Sequence, residues 1–333
     1  MTREKSFTGV GEIPLAHLLL DSARAPSRLC RRSAGLVDFV NEDSVRVVET
    51  EEPTQIKSMS PKDDATRPIN SPQMKSPVFR PAALDMDFML GDSMRGVRFL
   101  LEYAKAEEHL RAWGVRSTIV VFGSARICSG PDGCDNHRPK PNGRRTRWYE
   151  EARRFGRIAS ERGGALHPHD GQRDNVIATG GGGGIMEAAN RGAWEAGAPS
   201  IGFNITLPHE QEPNAYSTPE LTFLFHYFAM RKMHLAMRAN ALVVFPGGFG
   251  TLDELFETLT LRQTGKVPHL PIVLFDKSYW TRLINFEALV EEGMIAAKDL
   301  TLFDFADDAE EAWHALVRRG LKAHTPKTDR PHD

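Results

Sequence analysis

The sequence predicts a doubly wound, Rossmann-like α/β domain, a parallel sheet with helices on both faces. Three observations carry this. Apolar runs of strand length alternate with amphipathic helical stretches from residue 117 onward. The runs are apolar throughout, as strands covered on both faces must be. Three of them end in turns of small residues, FGSAR (122–126), TGGGGG (179–184) and PGGFG (246–250), at the edge where a parallel sheet places its ligand.

Taken in order, a helical pattern runs from Asp85 to Trp113 (FLLEYAKAEEHLRAW) and leads into the fold. STIVVFGS (117–124) is the first strand, and YEEARRFGRIASERG (149–163) the helix after it. NVIATGG is a strand and IMEAANRGAWEAG a helix, followed by the strand SIGFNITLP. The helical YFAMRKMHLAMRANA leads into a fourth strand, LVVFPGG; then come the helix LDELFETLTLRQTG, a fifth strand PIVLFD, and two closing helices. Two polar segments, 127–147 and 167–174, interrupt this order and belong on the surface. Stretches before residue 84 such as EDSVRVVETEEPTQIKSMSPKDD mix charge, Ser and Pro with little periodicity. They predict a mostly disordered arm over 1–83, in which LAHLLLDSARAPSRL can form one short helix; the folded domain spans 84–322 and a disordered tail 323–333.

At 333 residues the chain has room for one large domain with extensions. Its net charge of -2 gives no reason to expect nucleic acid or a membrane as partner. The apolar run IPLAHLLL is too short to span a bilayer and has the wrong flanks for a signal peptide. Three cysteines, Cys30, Cys128 and Cys134, are too few and scattered for a disulfide framework. The expectation is a soluble, cytoplasmic protein. Cys128, Cys134 and His137 match no zinc spacing, so no metal is expected.

Glycine runs let backbone N–H groups close on an anion, and the helix that follows adds favourable partial charge. Any one run serves equally well as a tight turn; three on one edge point to a phosphate-bearing ligand. There is no G-x-x-x-x-G-K-[ST], which excludes the triphosphate cradle. TGGGGGIME lacks the third glycine of the dinucleotide fingerprint, and SIGFNIT ends without its acidic residue, which argues against NAD. Glu254 has two readings. With Thr251 it forms a T-x-x-E capping box, or it is a carboxylate facing whatever the glycine turn holds, able to stabilise an oxocarbenium-like ribose or polarise a water. Arg231, His234 and Arg238 share one helical face, beside Lys232. A solvated basic face is one explanation, and an arginine fork on a phosphate another. Glu187 can cap its helix or touch a ribose. Met230, Met233 and Met237 fall at helical spacing and read as packing.

Together these residues resemble the LOG ("lonely guy") phosphoribohydrolases, a family long mislabelled as lysine decarboxylases. PGGFGTLDE fits its PGGxGTxxE signature, and MRKM, VVFGSAR and GGGGGIMEAANRGA resemble the longer bacterial members. The resemblance covers roughly residues 115 to 320. It implies hydrolysis of a nucleoside 5′-monophosphate, AMP or a cytokinin riboside monophosphate, to free base and ribose 5-phosphate, without metal or organic cofactor. It implies that Arg231 and Glu254 are the essential pair and that Gly247, Gly248, Gly250 and Thr251 hold the phosphate. Gly123, Ser124, Gly181, Gly182, Glu187 and Lys232 are then expected to complete the substrate site. Family members are dimers or larger, with the site near the subunit interface. One departure is Gly183, where longer members carry proline. The other reading of the same fold is a carrier or sensor that binds a nucleotide or molybdenum cofactor without turnover.

Overall fold

The computed structural model describes residues 70–128, 143–208, 212–267 and 269–322. The expected arm up to residue 69, residues 129–142 of the polar insertion and the expected tail from 323 lie outside the described residues. Residues 70–81 belong to a unit of their own, with one short helix, α1 (Ser71–Lys75). The remaining described residues form the unit that starts at Ala82.

Two helices lead in, α2 (Met86–Leu90) and α3 (Arg95–Ala112). The expected single helix is thus broken near Gly91, which closes α2 in an extended conformation. The chain then runs β1 (Thr118–Phe122), α4 (Gly143–Arg162), β2 (Val176–Thr179), α5 (Ile185–Glu195) and β3 (Ser200–Ile205). It continues with β4 (Thr222–Phe225), α6 (Phe228–Met237), β5 (Ala239–Val244), α7 (Phe249–Gln263) and β6 (Ile272–Phe275). It closes with α8 (Lys277–Leu283), α9 (Phe286–Glu291), β7 (Asp304–Ala306) and α10 (Ala309–Arg318). Helix α4 takes in residues 143–147, which the sequence assigns to the polar segment.

The seven strands form one sheet in the order β4-β3-β2-β1-β5-β6-β7, and each neighbouring pair is parallel. Alternate residues of β1, β2, β5 and β6 feed two cores. Ile119, Val121, Ile177, Val243 and Val273 pack against α4, α5 and α10. Val120, Ala178, Phe203, Leu242 and Leu274 pack against α3, α6 and α7. The sheet is doubly wound, as expected. It has two strands more than the five expected, β4 and β7, both at its edges. The order reverses direction between β1 and β5, which makes their carboxyl ends the switch point where ligands bind in such sheets. No helix among the described residues is long and apolar enough to cross a membrane.

Cys128 is buried and disulfide-bonded, where the sequence predicts no disulfide framework.

Candidate active site

The three small-residue turns meet at the carboxyl ends of β1, β2 and β5, and the first of them ties the other two together. The Ser124 N–H donates to the Pro246 carbonyl (3.0 Å), and the Ser124 carbonyl accepts from the Ile185 N–H (3.1 Å). Gly123 packs against the Ile185 side chain so closely that a Cβ there would overlap it. The β2 turn is held from behind by a buried polar network. Thr179 Oγ1 accepts from the Gly181 N–H (3.0 Å) and donates to Asn190 Oδ1 (2.7 Å). The Asn214 amide donates to the carbonyls of Gly181 and Gly182, each at 3.1 Å. Gly184 starts α5 at φ 70, a left-handed conformation in which a Cβ would run into the backbone at Ser124 and Ala125.

Helix α7 begins directly on the β5 turn. Its N-cap is Gly248, with no side-chain cap. Thr251 is therefore inside the first turn and does not cap the helix, so the capping-box arrangement is not formed. No side chain caps the first turn, where the helix dipole favours an anion. Glu254 lies one turn further in, buried at 7% exposure.

Arg231 reaches this edge from α6. Its Nε donates to the Phe203 carbonyl at 2.7 Å and its Nη1 to Glu254 Oε1 at 3.4 Å. Nη2 lies against Gly180, where a Cβ would collide with it. Burial raises the Glu254 carboxyl from 4.5 to about 7, against the opposing pull of Arg231 and Lys232. The pair therefore joins a fixed guanidinium to a carboxylate that changes charge near neutral pH, within reach of two glycine turns. This is the equipment for binding an anion and for moving a proton or stabilising a cation beside it.

Residues 186–316 match the family model described as "Possible lysine decarboxylase". The chain is 30% identical over 141 residues to the probable cytokinin riboside 5′-monophosphate phosphoribohydrolase LOG4 of Oryza sativa subsp. japonica, covering 41% of this chain and 60% of that protein. It is 35% identical over 101 residues to the cytokinin riboside 5′-monophosphate phosphoribohydrolase LOG7 of Arabidopsis thaliana, covering 30% of this chain and 44% of that one. Over this part of its length the chain is similar to the LOG proteins. It spans about half the length of these curated relatives. Among solved structures, a molybdenum cofactor binding protein from Rippkaea orientalis is 17% identical with a TM-score of 0.36, covering 61% of this chain and 97% of that one.

Two residues of the LOG-type set point elsewhere. The Lys232 ammonium binds Asp253 (2.8 Å) and Glu257 (3.1 Å) on α7, and it lines an open groove of about 830 Å³ between α6 and α7. Glu187 accepts a hydrogen bond from the buried Tyr149 hydroxyl (2.7 Å), which turns it toward α4. The basic face expected on α6 is not solvated. His234 is 1% exposed, with its ring stacked near Tyr103 and Phe203. Arg238 is paired with Glu107 at 2.7 and 2.8 Å. Residues not singled out from the sequence also hold these turns: Asn190 and Asn214 behind the β2 turn, and Tyr279, whose hydroxyl reaches the Gly247 carbonyl at 2.6 Å. An asparagine within α5, another in a loop and a tyrosine in a later helix carry no local signal of such partners.

Proposed function

We propose that this chain hydrolyses the N-glycosidic bond of a nucleoside 5′-monophosphate, AMP or a cytokinin riboside monophosphate, to free base and ribose 5-phosphate. The observation that carries the reading is a buried carboxylate, Glu254, held near neutral pKa beside Arg231 and one turn in from the uncapped start of α7. The names of the relatives supply the same reaction class.

In this reading the N–H groups of Gly248, Gly250 and Thr251 bind the 5′-phosphate, with Gly247 shaping the turn. That places the ribose over Glu254 and Arg231. As the C1′–N bond breaks, its electron pair leaves with the base, and the ribosyl cation gains the Glu254 carboxylate as counter-charge. Water adds its oxygen to C1′ and loses a proton, which Glu254 can take before it passes to solvent or base. Arg231, with Nε fixed on Phe203, presents its free edge to phosphate or sugar. Gly123, Ser124, Gly181 and Gly182 border the space left for the base. Lys232 acts at a distance, its charge favouring ionised Glu254.

A second copy of the chain is proposed to cover α6 and α7, where Phe228, Met237 and Phe249 are exposed at 54%, 43% and 92%. Light scattering on the purified protein reads this directly; a monomer at micromolar concentration overturns it.

The reaction itself is tested by release of base and ribose 5-phosphate from AMP, GMP, CMP, UMP and isopentenyladenosine monophosphate, with Glu254→Gln alongside. Turnover of one or more that is lost in the variant supports the proposal. Tight binding with no turnover of any would replace it with the carrier reading.

A further inference from the structure

We infer that Tyr279 is a positioning residue for the phosphate turn, its hydroxyl setting the direction of the Gly248 N–H. The inference rests on the reading of that turn as a phosphate cradle.

The Tyr279 hydroxyl, on α8, donates to the Gly247 carbonyl at 2.6 Å. That carbonyl and the Gly248 N–H belong to one planar trans peptide unit, so they point in opposite directions. Fixing the oxygen on Tyr279 therefore aims the N–H the other way. Gly248 is exposed, it opens α7 without a side-chain cap, and nothing stands within 4 Å of where its Cβ would be. The peptide is thus held from the protein side, and its N–H lies opposite that contact, on an exposed glycine at the start of a helix. A glycine-rich turn left unheld would spread over several peptide orientations, and only some of them offer that donor to an anion.

The tyrosine is itself braced. Its ring meets Trp148 edge-on at 5.6 Å and Trp280 at 5.2 Å. Its N–H is bonded to the Asp276 carboxylate at 3.1 Å. Asp276 lies at φ 68, a left-handed conformation that a non-glycine residue keeps only where its surroundings fix it. They do so here: its carboxylate accepts two hydrogen bonds from Arg144 (2.9 and 3.0 Å), one from Trp148 (2.7 Å) and one from Ser278 (2.8 Å). Burial alone would raise this carboxyl, but those donors hold it well below the ordinary aspartate range. A continuous brace so runs from the start of α4 through Asp276 and Tyr279 to the turn after β5. Capping α8 needs only Asp276 and the Tyr279 backbone. The hydroxyl adds nothing to that cap, and its partner is the glycine turn.

The test compares Tyr279→Phe with the parent, both in the Glu254→Gln background so that ligand is not consumed, by calorimetric titration with AMP and with adenosine. Losing one neutral hydrogen bond predicts AMP binding weakened about 3- to 10-fold, adenosine binding unchanged, and a melting temperature close to the parent's. Asp276→Asn, which tolerates the same backbone and keeps a capping oxygen, is the second variant; it should shift the AMP-to-adenosine ratio in the same direction by less. If neither variant moves that ratio, or if AMP and adenosine weaken alike, Tyr279 does not act through the phosphate. If the parent itself binds AMP no better than adenosine, it is the phosphate reading of the turn that fails.

Discussion

Replacing Glu254 by Gln should stabilise the protein more at pH 8 than at pH 4, by about 3 kcal/mol. The Glu254 carboxyl is 7% exposed, and burial raises its pKa from 4.5 to about 7. Each pKa unit is worth about 1.4 kcal/mol. Between pH 4.5 and 7 the folded wild type holds a proton that the unfolded chain has released, so its stability falls as pH rises through that window. Above it the full cost of the buried charge is present; below it there is none. Glutamine carries no such cost, and its steric effect does not depend on pH. His234 produces the opposite slope. Burial lowers it from 6.5 to about 4, so the unfolded chain takes up the proton first and stability is lost as pH falls through that interval. The two slopes oppose each other in the wild type, and Glu254→Gln removes the one that falls with rising pH. Urea denaturation of both proteins at pH 4, 5, 6, 7 and 8 reads the difference, with m-values checked for constancy. An advantage for glutamine that stays flat or reverses with pH would mean that Arg231 keeps the carboxylate ionised. The argument for a proton-exchanging Glu254 would then be refuted. If it stands, kcat/KM should rise with pH up to about 7, because the ionised carboxylate is the form that faces a ribosyl cation.

Gly248→Ala should leave stability within about 1 kcal/mol, since there is open space around it, yet weaken AMP binding at least about tenfold if a phosphate must approach that backbone; calorimetry and thermal melts separate the two. Arg231→Lys keeps the charge but not the fork that ties Phe203 to Glu254, so activity should fall about 100-fold or more, measured as kcat/KM at saturating ionic strength controls. Asn190→Ala removes a fully buried amide that bonds Thr179, Ser200 and Asn214. It should cost about 1–3 kcal/mol in denaturation and raise KM by loosening the turn at Gly181.

The five central strands could be read directly because their apolar runs are bounded by glycine, proline or polar residues. Strand β4 could not: TFLF has one residue fully turned outward, and its pairing with β3 is the reason it is extended at all. At three residues, DFA of β7 is shorter than any pattern can carry. The glycine turns and the Arg231–Glu254 pair were legible as residue types at informative spacing. Their mutual contact was not, because 23 residues and an entire strand separate them. Lys232 shows the limit of reading adjacent residues as one unit. Successive helical side chains diverge by about 100°, so Arg231 turns to the sheet edge while Lys232 turns to Asp253 and Glu257. The brace on Gly247 depends on a side chain 32 residues later, for which the sequence offers only an ordinary tyrosine.

Helix α6 contains its own control for the functional reading. It presents Arg231, and its C-cap residue is Arg238; each meets a glutamate from another helix at almost the same burial. The side chains of Arg238 and Glu107 are 11% and 10% exposed, those of Arg231 and Glu254 12% and 9%. The first pair is closed: two guanidinium nitrogens lie at 2.7 and 2.8 Å, Arg111 adds a third bond, and against burial the carboxyl is held below its ordinary value. The second is open: one contact at 3.4 Å, a guanidinium anchored instead on a backbone carbonyl, and a carboxyl raised to about 7. Side-chain exposure does not separate the two, nor does the kind of residue. What differs is that the open pair faces two glycine turns and an uncapped helix start. A carboxylate kept there for stability alone would gain by closing on its arginine as Glu107 does, since a half-satisfied buried charge destabilises the fold. An unclosed pair is what a site needs if a third, anionic group is to enter between its charges and the turn.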